Sequence, residues 1–126
     1  MFLIANYINS AAEAKEEIRF HFNFEIADDI QIQTKSAMNI FRVIQEIVNN
    51  AIKYSHASEV SISIHQNKNE LLIDVRDNGV GFDVDEMRTK SFGLNNIYNR
   101  VSDLKGTVDL VSGEDLGTQY KIKCLL

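Results

Sequence analysis

The chain has 126 residues and a formal net charge of −5, the length of one domain with a single core. This acidic balance disfavours a general nucleic-acid-coating surface, which needs an excess of basic residues. A single cysteine, Cys124, excludes an intramolecular disulfide framework, the apolar runs fall short of the roughly 18 residues of a membrane span, and the start of the chain lacks the basic leader of a secretory signal.

The first predicted elements are a short helix, from Asn6 to Glu17, and a strand. Between positions 18 and 26 every second residue is apolar and the residues between them are polar. A period of two predicts a strand with one buried face. Asp28 and Asp29 then predict a turn. The apolar positions of the strand are Ile18, Phe20, Phe22, Phe24 and Ile26.

The period changes between Ser36 and Tyr54, where apolar residues recur at three- and four-residue steps. This spacing predicts an amphipathic helix of about five turns, with Ser36 as its N-cap. Alternation returns at 60–64. A polar turn at 66–69 separates this strand from a second one at 70–76, so the two strands predict a hairpin.

The rest of the chain begins with a glycine-containing loop at 77–82, and the polar residues 83–92 predict a longer loop. A helix is predicted from Asn95 to Leu104, and two closing strands at 107–111 and 118–125. The order α-β-α-β-β-α-β-β lacks the regular alternation of a doubly wound fold. We therefore predict a two-layer α/β (α+β) sandwich, in which helices cover one face of a mixed sheet.

The long predicted helix carries a polar stripe opposite its apolar residues. At about 100° per residue, Asn50 lies about 40° from Glu46, and Lys53 lies about 20° from it on the other side. A solvated helix face is the ordinary explanation of such a stripe. However, a carboxylate, an amide and an ammonium are also the groups needed around a metal-bound polyphosphate. The stripe consists of Arg42, Glu46, Asn49, Asn50 and Lys53.

Two glycine-containing segments are further candidates. Asp77 leaves a strand into Gly79 and Gly81, an arrangement that suits either a tight turn or the close approach of a ligand to the backbone. Gly93 precedes a predicted helix, whose first N–H groups form a site for an anion. The sequence contains no P-loop or Rossmann fingerprint, and its three histidines are too widely spaced to predict a zinc site.

Taken in order, these motifs resemble the ATP-binding catalytic domain of bacterial sensor histidine kinases. The resemblance covers roughly residues 19–126, and two segments, 41–46 and 96–101, are closest to the subfamily whose partners are helix-turn-helix response regulators. Its wider superfamily includes gyrase-type topoisomerases, mismatch-repair ATPases, a heat-shock chaperone and anti-sigma-factor kinases. Four motifs are similar to the family's N box, first glycine box, second glycine box and terminal glycine-threonine: Glu46-x-x-x-Asn50-x-x-Lys53-Tyr54, Asp77-x-Gly79-x-Gly81-Phe82, Phe92-Gly93-Leu94 and Gly117-Thr118.

The resemblance implies a Bergerat-type sandwich that binds ATP and Mg²⁺. By this resemblance Asn50 is the Mg²⁺ ligand, and Glu46 is the catalytic residue that polarises the attacking group or orients a water. Lys53 contacts phosphate, and Tyr54 packs near the nucleotide. Asp77 accepts a hydrogen bond from the adenine 6-amino group.

The glycine boxes supply the other residues that the resemblance assigns to ATP. Gly79 and Gly81 let their loop close around the nucleotide. Gly93 and Leu94 bring backbone N–H groups to the phosphates, and Thr118 joins a water network beside the adenine-binding carboxylate.

The resemblance also implies what the chain works with. We expect residues 1–126 to be a single ATP-binding domain that donates the γ-phosphoryl group of ATP to a histidine outside this chain, on a dimerisation domain of the same protein. A response regulator is the expected partner of that protein. The domain is expected to be cytoplasmic, without direct nucleic-acid contact, and to reach a membrane only through other parts of the full protein. The isolated chain is expected to bind ATP without autophosphorylating.

Two alternatives remain open from the sequence. One is a stand-alone serine kinase of the anti-sigma-factor type, from the same superfamily. The other is a degenerate domain that only binds proteins, and it is favoured by Thr89 and Ser91, which stand where the family usually has glycines. Binding of Mg·ATP distinguishes this last alternative from the two kinases.

Overall fold

The computed structural model describes residues 2–15, 17–26, 32–90, 92–113 and 116–125. Within these ranges the strands form one mixed sheet of five strands in the order β1-β2-β3-β5-β4. The first pair is parallel and the other three pairs are antiparallel. The strands are β1 (Arg19–Glu25), β2 (Glu59–Asn67), β3 (Glu70–Asp77), β4 (Thr107–Gly113) and β5 (Gly117–Leu125).

The described residues form four α-helices, and a π-helical turn at Ala51–Ser55 directly continues the second helix. The predicted class of fold, a mixed sheet with helices in a two-layer α/β sandwich, is confirmed. No helix in the described ranges is both long enough and apolar enough to cross a lipid bilayer. The helices are α1 (Phe2–Ala14), α2 (Thr34–Asn50), α3 (Val84–Lys90) and α4 (Phe92–Asp103).

The core lies between one face of the sheet and the helices. Alternation places Val60, Ile62 and Ile64 of β2 on the buried face, and the other central strands follow the same pattern. Helix α2 covers this face with residues spaced three and four apart and packs against α4. The α2 side chains buried in this layer are Ile40, Val43, Ile44, Ile47 and Val48.

The edge strand β1 differs from its prediction. Its apolar side chains face the helix layer, but Phe20 and Phe22 are only half-buried and Phe24 is 38% exposed. The sequence pattern correctly predicts a strand but overstates its burial, because β1 has a neighbouring strand on one side only.

The helix boundaries also differ. Helix α1 begins at Phe2 and ends at Ala14, earlier at both ends than predicted. Helix α2 begins at Thr34, where Gln33 occupies the N-cap position without a side-chain hydrogen bond, so the prediction of Ser36 as the N-cap was wrong. The predicted turn at 28–29 lies outside the described residues.

The largest correction concerns residues 84–90, which form helix α3 instead of the predicted loop. The segment is short and polar, so it lacks a long apolar repeat. Its start is stabilised by Asp83, whose Oδ1 accepts the Glu86 N–H at 3.1 Å, and by acidic residues in the first turn, which interact favourably with the helix dipole. Helix α4 begins at Phe92, three residues before its predicted start.

Truncation of the α2 core should destabilise the whole sandwich. Ile44 is fully buried at the centre of α2, so Ile44→Ala is expected to lower the free energy of unfolding by about 2–5 kcal/mol through lost transfer energy and a residual cavity. Chemical denaturation measures the change. Arg42→Ala, at an exposed position of the same helix, is the control and should change stability by less than about 0.5 kcal/mol.

Candidate functional site

A pocket of about 180 Å³ opens between α2 with its π-turn on one side and the ends of β3 and β5 on the other. Its walls are mostly apolar and include Ile47, Ala51, Met87 and Leu94. This volume is below the roughly 300–1,000 Å³ of pockets that enclose a whole drug-sized ligand. The pocket therefore suits one ring system, while the rest of a larger ligand extends toward solvent.

Polar side chains also line this mostly apolar pocket, among them Asn50 from α2, Asp77 from the end of β3 and Thr118 from the start of β5. Asp77 and Thr118 are direct partners in the register of the two strands. A few fixed polar groups in an apolar pocket are the usual means of orienting a ligand.

The carboxylate of Asp77 is held in place by the backbone. Its Oδ1 accepts the Gly79 N–H at 2.8 Å, and the nearby Thr118 N–H also favours its ionised form. Burial raises the pKa of Asp77 above its usual range, and the two N–H groups offset this only in part. The carboxylate therefore accepts a backbone hydrogen bond, but water solvates its ionised form poorly because it is partly buried.

The first half of the loop after Asp77 is docked on the π-turn of the helix. The Val80 N–H donates to the Ser55 backbone oxygen at 2.8 Å. A Cβ on Gly79 would lie only 2.2 Å from that same oxygen, so this close approach requires glycine. Gly79 therefore contacts the π-turn, and the pocket lining includes Gly81 instead.

The second half of this loop is bound to the β4–β5 hairpin. The Phe82 N–H donates to the Ser112 hydroxyl at 2.9 Å, and this hydroxyl is also hydrogen-bonded to the Thr118 hydroxyl at 2.7 Å. Gly81 has a φ of +73°, and a Cβ there would meet the Gly113 backbone oxygen at 2.1 Å. Both ends of the loop are thus fixed, and Asp77 has little freedom to leave the pocket.

The two adjacent asparagines of α2 point to different partners. Asn50 lines the pocket together with Tyr120 of β5. Asn49 faces α1, where its Oδ1 accepts the Tyr7 hydroxyl at 2.7 Å. Successive helical residues lie about 100° apart, so the predicted polar stripe is divided, and only Asn50 belongs to the pocket.

The other residues of the predicted stripe lie outside the pocket lining. Lys53 is exposed, because residues 51–55 form a π-helical turn and the α-helical angle used in its prediction does not apply there. Glu46 is half-buried; burial is the main cause of the raised pKa of Tyr7 and of Tyr120, and the charge of Glu46 adds to it. Tyr54 lines the pocket and remains 62% exposed. The predicted roles of these residues stay predictions.

The second glycine motif lies in a helix instead of a loop. Gly93 and Leu94 are in the first turn of α4, and Leu94 is buried against the pocket. Thr89 belongs to α3, where its hydroxyl donates to the Glu86 backbone oxygen at 2.7 Å. Ser91 lies outside the described residues.

Several residues that line the pocket were not among the predicted site residues, and Tyr120 and Met87 are the two for which the cause is clearest. Tyr120 shares a strand face with Thr118, so the alternation of β5 could have identified it. Met87 was missed because its segment was predicted as a loop, and a polar sequence of seven residues gives no periodic signal for a helix.

Comparison with known proteins identifies a family. Residues 35–126 match the family model described as "Histidine kinase-, DNA gyrase B-, and HSP90-like ATPase". The sensor histidine kinase LiaS of Bacillus subtilis is 33% identical over 114 residues, which are 88% of this chain and 32% of LiaS. The signal transduction histidine-protein kinase/phosphatase DegS of the same organism is 32% identical over 124 residues, 95% of this chain and 32% of DegS. The chain thus spans about a third of the length of these relatives.

Solved structures agree with this match. The histidine kinase domain of the blue-light activated histidine kinase from Erythrobacter litoralis superposes with a TM-score of 0.80 at 18% identity, over 98% of this chain and 59% of that one. The mycobacterial sensor histidine kinase MprB superposes with a TM-score of 0.73 at 16% identity, over 98% of this chain and 91% of that one. At these identities the likeness establishes the fold.

At pH values at which Asp77 is ionised, its buried charge should lower the free energy of unfolding. Burial raises the pKa of Asp77 in the folded state. The favourable contribution of its protonation to the free energy of unfolding is therefore present below the unfolded-state pKa and is lost as the pH rises through the folded-state pKa. Asp77→Asn is therefore expected to be at least as stable as the wild type at pH 7, with the difference disappearing toward pH 3. Urea denaturation across this range measures it. A variant clearly less stable at pH 7 would show that the two N–H bonds outweigh the cost of burial.

Proposed function

Because the chain belongs to the family of histidine kinase-, DNA gyrase B- and HSP90-like ATPases, we propose that residues 1–126 are the Mg·ATP-binding catalytic domain of a sensor histidine kinase. The proposed reaction transfers the γ-phosphoryl group of ATP to a histidine outside this chain, in two-component signalling. The observation that carries this proposal is the single pocket that Asn50 of α2 and Asp77 of β3 both face.

The apolar part of the pocket suits the adenine ring. Its volume of about 180 Å³ is of the size of one ring system, and the walls from Ile47, Ala51 and Leu94 can pack on a flat heterocycle. The Asp77 carboxylate lies at the edge of these walls as a fixed acceptor. A purine 6-amino group is a donor that matches it, whereas a 6-oxo group offers only an acceptor and would be repelled.

Asn50 is the proposed protein ligand of Mg²⁺. Among the described residues no cluster of three or more His, Cys, Asp or Glu side chains could hold a metal by itself. Mg²⁺ commonly binds through one or two protein oxygens together with substrate phosphates. One carboxamide oxygen beside a nucleotide pocket is consistent with this mode of coordination. When bound, Mg²⁺ neutralises charge on the β- and γ-phosphates.

The remaining assignments follow from position. The first turn of α4, with Gly93 and Leu94, adjoins the pocket, and the N-terminal turn of a helix favours phosphate. We assign Lys53 to phosphate contact from the exposed side of the π-turn, Tyr54 to packing near the nucleotide and Glu46 to the reacting end. In this arrangement the chain positions the γ-phosphoryl group and compensates its charge, which is most of what phosphoryl transfer requires.

Helix α3 provides a cover next to the pocket. Met87 lines the pocket, the Arg88 guanidinium lies 4.3 Å from the centre of the Tyr98 ring, and the Asn95 side chain donates to the Arg88 backbone oxygen at 2.8 Å. These contacts hold α3 against α4. Movement of α3 during nucleotide exchange would have to break them.

The partners belong to the proposal as well. A histidine-bearing dimerisation domain of the same protein is the proposed acceptor, and a response regulator is the proposed next recipient. We place the domain in the cytoplasm, with any membrane attachment made through other parts of the full protein. The alternative of a serine kinase is less favoured because LiaS and DegS are named as histidine kinases.

Loss of the Asp77 carboxylate should weaken ATP binding. Asp77→Asn replaces an acceptor oxygen with an NH₂ donor, leaving the adenine amino group without its partner at a cost of about 1–3 kcal/mol, or roughly 5- to 150-fold in affinity. Calorimetry with Mg·ATP measures it. Asp74→Asn is the matched control, because Asp74 lies on the same strand but on the opposite sheet face, against Arg76 and Gln119. Unchanged affinity in Asp77→Asn would refute the assignment of the adenine pocket.

Loss of the Asn50 amide should remove the Mg²⁺ dependence of binding. In Asn50→Ala the affinities for ATP with and without Mg²⁺ are expected to converge, because the proposed protein oxygen is gone. Asn49→Ala provides the control at the adjacent position, since Asn49 contacts Tyr7 outside the pocket. It should lower thermal stability but keep the Mg²⁺ dependence. Absence of any ATP binding by the wild type would favour the interaction-only alternative.

A further inference from the structure

The outer edge of β1 is unpaired among the residues that the structure describes. In the order of the sheet this strand has β2 on one side only, and its register with β2 is continuous from Arg19 to Glu25. It contains neither a bulge nor a proline, although these are common means by which proteins prevent an edge strand from pairing with another strand. A regular edge of seven residues is therefore available to a further strand.

The unpaired backbone groups belong to the three phenylalanines of β1. The Arg19 N–H donates to the Ser58 backbone oxygen at 2.8 Å, so the backbone groups of Arg19 point toward β2. Because successive residues of a strand alternate in direction, the N–H and C=O groups of the next residue, and of every second residue after it, point away from β2. These residues are Phe20, Phe22 and Phe24, whose side chains are partly exposed on the helix side of the sheet.

The sequence of β1 is complementary to itself. When two copies run antiparallel about a twofold axis at Phe22, Arg19 of each copy faces Glu25 of the other, and Phe20 faces Phe24. Opposite charges and aromatic rings placed directly across from each other both stabilise antiparallel strands. This register pairs all seven residues of both strands. It also makes Phe22 a hydrogen-bonded pair, which agrees with the outward direction of its backbone groups.

The other edge strand of the sheet, β4, lacks this complementarity. Its single charged residue, Asp109, would face Val111 in the equivalent antiparallel arrangement, and the strand ends at Gly113, which has no side chain to pair. Charge complementarity therefore favours β1 over β4 as the edge that recognises its own copy.

Both charged ends of β1 are accessible. The Arg19 side chain is 73% exposed and its Nη1 lies 3.5 Å from the Glu59 Oε1, while the Glu25 side chain is 62% exposed and its Oε2 lies 3.1 Å from the His65 Nδ1. Exposed ion pairs of this kind contribute little to stability. The two charges can therefore also interact with a second copy without loss of a strong internal contact.

We propose that β1 pairs with β1 of a second copy of this chain, antiparallel and with Arg19 opposite Glu25, so that two five-stranded sheets become one continuous sheet. The interface is isologous, because the same surface meets its own copy about a twofold axis. A single pair of strands is small for a stable dimer, so the association is weak and depends on concentration. The inference is independent of the proposed function, since no residue of β1 lines the nucleotide pocket.

Charge reversal tests both the interface and its register. Sedimentation of residues 1–126 between about 5 µM and about 1 mM, a range suited to a small interface, should show conversion of monomers into dimers. Arg19→Glu alone opposes two acidic side chains at both ends of the strand pair, and Glu25→Arg alone opposes two basic ones. Each variant should raise the dissociation constant by about 10-fold.

A mixture of the two single variants provides the decisive arm. Each Arg19→Glu chain meets an opposite charge at both ends when it pairs with a Glu25→Arg chain, so the mixture should form heterodimers with nearly the wild-type dissociation constant. Repair in the mixture cannot come from contacts within one chain. Asp109→Lys, on the other edge strand, is the matched control and should leave dimerisation unchanged.

A wild type that stays monomeric over the whole range would overturn the inference and leave the edge of β1 to a strand of another protein. Dimers that survive both single reversals, or a mixture that does not recover, would overturn it as well. A measurement on the wild type covers a variant that does not fold. In dimers of labelled and unlabelled chains, filtered nuclear Overhauser spectra should connect the Hα of His21 with the Hα of Asn23 in the other copy, because residues of a non-hydrogen-bonded pair have Cα atoms about 4.5 Å apart. Dimers without this contact would also overturn the inference.

Discussion

The site depends on the docking of one loop on one irregular turn of helix. The Val80 N–H reaches the Ser55 backbone oxygen at 2.8 Å, and the absence of a side chain at Gly79 permits that approach. Ser55 has its backbone oxygen available there because it is the last residue of the π-turn, and the final carbonyl groups of a helix have no partner within it. Packing of the buried α2 side chains places this helix on the sheet, and this contact then fixes the loop after Asp77 against the end of the helix.

The same region shows where stability and function oppose each other. A carboxylate whose pKa is raised by burial, a buried tyrosine hydroxyl and a strand-end threonine all lie at the edge of an otherwise apolar core. Burial of polar groups is costly unless they are hydrogen-bonded. At the pocket, the Gly79 N–H supplies such a bond to Asp77, and the Ser112 hydroxyl supplies one to Thr118. The site is therefore rigid before a ligand arrives, which reduces the entropy lost on binding.

Several parts of this arrangement follow from the sequence. The alternation in β2, β3 and β5 and the three-to-four spacing in α2 predict the two-layer sandwich, because these periods fix which side chains share a face. The motifs around Asn50 and Asp77 predict that both residues belong to one site. Helix α3 could not be predicted from periodicity, since its stability comes from Asp83 at its start and from packing on α4, and both effects are local or tertiary.

The sequence by itself determined which faces of the strands and of α2 are apolar, and which residue types, a carboxylate, an amide and pairs of glycines, are available to a nucleotide. Only the tertiary structure decided which of them meet. It separates Asn49 from Asn50, directs Lys53 away from the pocket lining and adds Tyr120. The physical reason is that the contact between Val80 and Ser55 joins segments far apart in the chain, and a single five-residue π-turn leaves no periodic pattern in the sequence.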